Sequence, residues 1–357
     1  MPDTTFSLPG DMACDQTFWM IIRPDLWGTQ GRLRFSNAFG DRSVAIGGVF
    51  VALHAGSGAL VPGTTVLARF DGGDTCTIQP GAELLSYPIV LPFISNSAAP
   101  ALHGRKLAVS FHVSGESGPM TWHAKAMTTS YLSPPGSGAR GADETDAAFP
   151  FSTTAWYFLD GFDVVAPVDT VVVAGLGDSI TDGTFSTLNG DDRWTDRLSR
   201  RLHEAYGARV SVVNLGIGGN QVIGPPSYQP AAPFNGGPSA LSRLQRDILS
   251  RSGLTHVVWV EGVNDFGQAM APKGTPPAEA QSVIDGLRAG TERMRTQGLR
   301  VIGGTLPPSL NAARESYGTP EIDARRQRVN DFIRSSGFFD AVVDCEAATI
   351  DPRTTPF

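Results

Sequence analysis

Three short stretches of this chain place reactive or hydrogen-bonding residues directly after runs of β-branched residues. Val171 to Val173 lead through Gly175-Leu-Gly177 into Asp178, Ser179, Thr181 and Asp182. Val210 to Val213 lead into Asn214-Leu-Gly-Ile-Gly-Gly219, and Val257 to Val260 into Glu261-Gly-Val-Asn-Asp265. Such a run, ending in glycines and small polar residues, reads as a buried parallel strand with its carboxyl-end turn. Open α/β sheets keep their chemistry at that edge. A serine there projects its hydroxyl from a rigid turn, with a backbone N–H beside it for a developing oxyanion. The plainer reading of Ser179 alone is a helix N-cap.

The three stretches, in this order, resemble the sequence blocks of the SGNH hydrolase superfamily, the GDSL-type esterases and lipases. The matching residues are Gly177-Asp178-Ser179-Ile180, Asn214 through Gly219, and Gly262-Val263-Asn264-Asp265. The resemblance implies Ser179 as nucleophile. It also implies the N–H groups of Ser179 and Gly219 and the carboxamide of Asn264 as oxyanion donors. Gly219 suits that part because a residue without a side chain lets a substrate approach its backbone. Read without the resemblance, Gly219 is a glycine leading into a helix and Asn264 a turn residue. Asp178 and Asp182 read as turn and supporting groups rather than an acid–base pair. The implied reaction is hydrolysis of a small-molecule ester through an acyl-enzyme, with short acyl chains and acetylated carbohydrates as the first substrates to consider. The alternative is a ligand- or carbohydrate-binding protein that keeps the fold without turnover.

The family's base is a histidine in an Asp-x-x-His block beyond the last strand. No histidine follows Asn264 here, and Asp351-Pro-Arg-Thr-Thr-Pro-Phe357 directly follows the last strand run. His256 begins the strand that ends near Asn264, and at ~3.3 Å per residue it sits at the opposite end. His203 lies well along a helix running away from the catalytic edge, at ~1.5 Å per residue. His54, His103, His112 and His123 fall in the first half of the chain, where only His123, beside Trp122, is placed to face a cleft. The expectation is a hydrolase whose C-terminal catalytic block is absent from these residues.

The elements that must position these groups change character along the chain. From Gly31 to about Phe162 short β runs alternate with Gly, Pro and Asp. Arg32–Ser36, Ser43–His54, Thr65–Phe70, Leu107–Val113 and Met120–Thr128 read as strands, with a turn at Asp71-Gly72-Gly73-Asp74. Their spacing predicts an antiparallel β-sandwich over residues 1–165. β-Rich N-terminal regions of this kind accompany some bacterial members of the GDSL-type family. Arg32, Arg34 and Ser36 alternate with Leu33 and Phe35, which predicts one face in water. Ser133 to Asp143 reads as a loop, Trp156 to Leu159 as a further strand and Ala166 to Thr170 as the boundary.

Residues 166–357 then alternate strands with helices. The helices are read at Arg193–Tyr206, after a Ser239 cap, after Pro277, and after Thr319-Pro320. With strands at Leu299–Leu306 and Phe339–Cys345 the prediction is a five-stranded, flavodoxin-like α/β/α sandwich. Arg193, Arg197, Arg200, Arg201, Arg325, Arg326 and Arg328 read as solvated helix faces. Loops at Gly224–Gly237, stiffened by Pro225, Pro226, Pro230 and Pro233, and at Phe266–Pro276 are expected to wall the pocket.

At 357 residues the chain exceeds one typical core. A net charge of −7 with a pI near 5.4 speaks against nucleic acid or an anionic membrane as partner. No apolar run reaches membrane-span length. Cys14, Cys76 and Cys345 lack zinc-site spacing, no His-x-x-x-His occurs, and neither metal nor organic cofactor is expected. Met1-Pro-Asp-Thr-Thr does not read as a signal peptide, which leaves a cytoplasmic protein or one whose leader has been removed. Oligomeric state is not legible.

Overall fold

Runs of β-branched and aromatic residues build the first half of the chain, in a computed structural model that describes residues 12–225, 236–267 and 276–350. The chain divides into two compact units. One holds the described residues up to Thr170 together with Phe185–Asp191 and Ala205–Arg209. The other holds Val171–Thr184, Asp192–Glu204 and the described residues from Val210 onward.

The main strands of the first unit are β1 (Met12–Ile22), β2 (Gln30–Ser36), β3 (Val44–Gly56), β4 (Glu83–Leu85), β5 (Leu107–Pro119), β6 (Ser130–Leu132), β7 (Phe151–Thr153) and β8 (Leu159–Val164). The larger sheet runs β7-β6-β1-β5-β3, with Ala59–Leu60, Val66–Leu67 and Thr75–Ile78 all paired to β3. The smaller runs β8-β2-β4, with Ile89–Val90 on β2. Leu33 and Phe35 of the smaller sheet share one buried cluster with Phe18, Val109 and Phe111 of the larger. Phe35 meets Phe111 edge-on with centroids 5.2 Å apart. This is the antiparallel sandwich that the strand spacing predicts.

One strand was not expected, and three expectations change. β1 was not legible because its alternation breaks at Asp15, where the register with β5 shifts and φ is +44°. The strand expected at Met120–Thr128 shrinks to Trp122–His123, paired with Trp156–Tyr157, and that at Thr65–Phe70 to Val66–Leu67. The β2 face expected in water is largely buried: Arg34 is 7% and Ser36 2% exposed. β2 is the inner strand of its sheet, and Arg34 reaches Glu83 on β4 at 3.2 Å and Asp163 on β8 at 3.8 Å.

In the second unit β9 (Val171–Gly177), β10 (Val210–Gly216), β11 (His256–Val260), β12 (Arg300–Gly304) and β13 (Ala341–Val343) are all parallel, in the order β10-β9-β11-β12-β13. That is the flavodoxin-like order. The helices are α1 (Ser179–Asp182), α2 (Trp194–Tyr206), α3 (Ala240–Leu244), α4 (Val263–Gly267), α5 (Ala280–Thr296), α6 (Glu315–Gly318), α7 (Pro320–Ser335) and α8 (Cys345–Thr349). Strand residues alternate between two helix layers because successive side chains leave opposite faces. Val173, Val212 and Val258 pack under Trp194, Leu198 and Leu202 of α2. Ala174, Val257 and Trp259 pack under Val283 and Leu287 of α5 and Val329 of α7.

The Ser239 hydroxyl caps α3, and Thr319 caps α7 with Pro320 in its first turn. Arg326 departs from its expected solvated face. It is 2% exposed, holds Asp323 at 2.6 Å and Glu346 at 2.5 Å, and donates to Leu306 O. α8 folds back beside the inner face of α7, and a guanidinium there is tolerable because carboxylates meet it. Residues 226–235 and 268–275, with Pro226, Pro230 and Pro233, lie outside the described residues, so most of both expected pocket walls falls there. No described helix is long and apolar enough to cross a membrane.

Candidate active site

β9 ends at Gly177, level with Gly216 of β10 and Val260 of β11. Ser179, Gly219 and Asn264 therefore all leave the same edge of adjoining strands. Asp178 caps α1 by accepting the Ile180 N–H at 2.9 Å. Ser179 is the first helical residue, so its own N–H has no carbonyl one turn back. Its side chain is half-buried, and Ile180 beside it is 40% exposed. Among the described residues no group hydrogen-bonds the Ser179 hydroxyl.

The turn carrying Ser179 lies against the second strand end. A side chain at Gly216 would overlap the backbone N of Asp182, so glycine is what allows the approach. Asp182 Oδ2 accepts the Gly218 N–H at 2.9 Å, and Asn214 Nδ2 donates to Thr181 O at 2.5 Å. Gly219 has φ +85°, a left-handed conformation that glycine adopts without strain.

Asn264, on α4, is 4% exposed and tied to the second loop from several directions. Its Nδ2 donates to Asn220 O at 2.9 Å, and Gln221 Nε2 donates to Asn264 O at 3.0 Å. The neighbouring Asp265 carboxylate accepts the Val222 N–H at 2.8 Å and the Ile223 N–H at 3.1 Å. Tyr317 on α6 donates its hydroxyl to Asn264 Oδ1 at 2.7 Å. Gly219 and Asn264 thus belong to one cross-braced pair of loops.

Two residues that the sequence did not single out complete the frame. Arg243 of α3 is 1% exposed and donates to Asn220 Oδ1 at 2.9 Å, Leu215 O at 2.9 Å and Asp247 Oδ2 at 3.0 Å. Its i,i+4 spacing to Asp247 was the available signal, but that spacing also suits a surface ion pair. Tyr317 had none beyond its place after a strand end.

The floor under the site is acidic. Asp178 and Glu261 follow the paired residues Gly177 and Val260, and both are buried. Among the described residues Asp178 Oδ2 and Glu261 Oε1 each lack a hydrogen-bond partner. Burial pushes Asp178 up to about 8, opposed by the Ile180 N–H and reinforced by Glu261, Asp265 and Asp182. Burial likewise raises Glu261, against the pull of the Arg243 charge and the Trp259 indole N–H. Asp265 is pushed up to about 7 by burial, against its two backbone donors.

Neither histidine of the second unit lies at this strand edge. His256 starts β11, at the end of the strand away from Glu261, and its Nδ1 is 2.9 Å from Thr255 Oγ1. His203 lies in the last turn of α2. His54, His103, His112 and His123 belong to the first unit. Among the described residues no three His, Cys, Asp or Glu side chains gather as metal ligands.

Comparison with curated protein sequences gives no match. Solved structures similar to the chain include an acetyl xylan esterase, at 19% identity over 50% of this chain and 79% of that one, with a TM-score of 0.37. An SGNH-hydrolase family esterase, AlinE4, matches at 15% identity over 54% and 85%, with a TM-score of 0.36. A catalytic mutant of an acetylxylan esterase from Geobacillus stearothermophilus matches at 18% identity over 53% and 84%, with a TM-score of 0.37. The GDSL-like Lipase/Acylhydrolase family matches residues 176–356, just over half of the chain, from the end of β9 through all three braced strand ends. This protein belongs to that family.

Proposed function

We propose that this protein is a serine ester hydrolase that works through an acyl-enzyme. Ser179 Oγ attacks the ester carbonyl, and the ester's alcohol leaves carrying the proton that the serine hydroxyl gives up. The oxyanion is held by the Ser179 and Gly219 N–H groups and the Asn264 carboxamide, and water then releases the acid. One observation carries this reading: the three strand ends bearing Ser179, Gly219 and Asn264 lie level at one sheet edge and are hydrogen-bonded to one another. Asp178 and Asp182 serve as the cap and brace of the nucleophile's turn. The acyl groups expected are short, on small alcohols or sugars, and the exposed Ile180 offers apolar contact beside the nucleophile.

A second reading is a ligand-binding protein that retains the fold without turnover. It is favoured by the Ser179 hydroxyl, which makes no hydrogen bond among the described residues of its own unit. A fluorophosphonate probe, with acyl esters of graded chain length and acetylated sugars as substrates, separates the two. Hydrolysis with labelling confined to Ser179, both lost in Ser179→Ala, supports the hydrolase. Ester or sugar binding without labelling or turnover supports the binding protein.

A further inference from the structure

The Asn264 carboxamide is held at both ends. Its Nδ2 faces the carbonyl oxygen of Asn220, which can only accept, so the nitrogen must be on that side. Its Oδ1 then faces the Tyr317 hydroxyl at 2.7 Å, which must donate. One N–H of the amide is used by Asn220, and the other has no partner among the described residues, which leaves it for a ligand. Without a donor at Oδ1, the amide could swing about its last torsion, which is broad for Asn side chains.

The position of the phenol is itself built in. Tyr317 is half-buried, and a side chain at Gly267, the last residue of α4, would overlap its ring. α4 therefore carries Asn264 and, one turn later, the gap into which the ring fits. Burial raises the phenol above its ordinary value, against the charge and the hydrogen bond of Arg314. The hydroxyl accordingly keeps its proton and remains a donor across the neutral range.

We propose that Tyr317 is a positioning residue for the oxyanion site: its hydroxyl fixes the Asn264 carboxamide so that the free N–H points at the developing oxyanion. This rests on the hydrolase reading above. A pre-aligned donor stabilises charge without reorganising at the moment of reaction. Losing such a donor costs about 10²–10³ in kcat, and leaving it present but loosely aimed should cost a fraction of that, about tenfold.

The test uses the full chain, with Tyr317→Phe, Asn264→Ala and the double variant. Tyr317→Phe keeps the ring and removes only the hydroxyl. On a short acyl ester it should lower kcat about tenfold with KM within about twofold, because the interaction acts mainly in the transition state. The double variant should be no worse than Asn264→Ala, because without the amide there is nothing left to aim. An independent arm reads the amide itself by NMR with ¹⁵N-labelled asparagine, the Asn264 side-chain resonance being identified by its loss in Asn264→Ala. That resonance should shift and exchange faster with water in Tyr317→Phe, and likewise in Gly267→Ala, which displaces the ring. An unmoved resonance overturns the proposal whether or not the protein is active. So does a normal kcat in Tyr317→Phe beside a large loss in Asn264→Ala, or losses that add fully in the double variant. A normal kcat in Asn264→Ala, or no turnover by the wild type, sinks the hydrolase reading and this proposal with it.

Discussion

Asp182 Oδ2 accepts the Gly218 N–H at 2.9 Å, joining the turn that carries Ser179 to the loop that carries Gly219. Asp182 is 3% exposed and Gly218 half-buried, so this bond is only partly screened by water. Removing the acceptor leaves a half-buried N–H to find a water, at a cost of about 1 kcal/mol. Asp182→Ala should therefore lower the denaturation midpoint and slow fluorophosphonate labelling of Ser179. Wild-type labelling would separate the brace from the nucleophile.

Asn264→Ala should lower kcat by about 10²–10³ with a much smaller change in KM, since a preorganised donor acts on the developing charge. Steady-state kinetics on a short acyl ester reads this directly. A rise in KM at constant kcat would instead place Asn264 in ground-state binding.

Gly216→Ala adds one methyl group where the backbone of Thr181 and Asp182 already lies. Backbone yields less readily than a flexible side chain, so the whole turn must shift, costing about 1–3 kcal/mol by overpacking. The variant should fold with a lower midpoint and lose most Ser179 reactivity. Unchanged labelling would show that the turn can move without consequence.

The buried carboxyls make stability depend on pH. Asp178 is pushed from its ordinary 3.8 up to about 8, so the folded chain keeps a proton that the unfolded chain releases across that interval. Stability from this group is fully present below the unfolded value and is lost as pH rises towards the folded one. Glu261 and Asp265 are displaced in the same direction. Tm should fall between about pH 5 and about pH 8, and Asp178→Asn should flatten that fall. Parallel Tm profiles for the two proteins would count against a protonated Asp178.

Glu346 gathers Arg326, Arg334, Gln327 and Asn330 onto its two oxygens, and Arg326 is buried. Glu346→Ala leaves the buried Arg326 with Asp323 as its remaining carboxylate, so the loss should fall below the about 3–5 kcal/mol of a fully unpaired buried charge. Chemical denaturation should show that loss, and the double variant with Arg326→Met should recover part of it. A near-neutral Glu346→Ala would mean that water reaches Arg326 easily.

The chain by itself determined the α/β/α unit, its strand order and the starts of α3 and α7, whereas α5 begins at Ala280 rather than Pro277. Val-rich runs, an i,i+4 apolar stripe, Ser239 and Thr319-Pro320 are local signals, and parallel strands buried on both faces leave few arrangements for them. The three blocks at Ser179, Gly219 and Asn264 were legible for the same reason, since each follows its strand directly. Only the tertiary structure decided what surrounds them. Arg34 and Arg326 look like surface residues until β2 gains neighbours on both edges and α8 folds back beside α7, because burial of a charge depends on partners remote in sequence. The contact of Tyr317 with Asn264 spans 53 residues and depends on a missing side chain at Gly267, which no periodicity records.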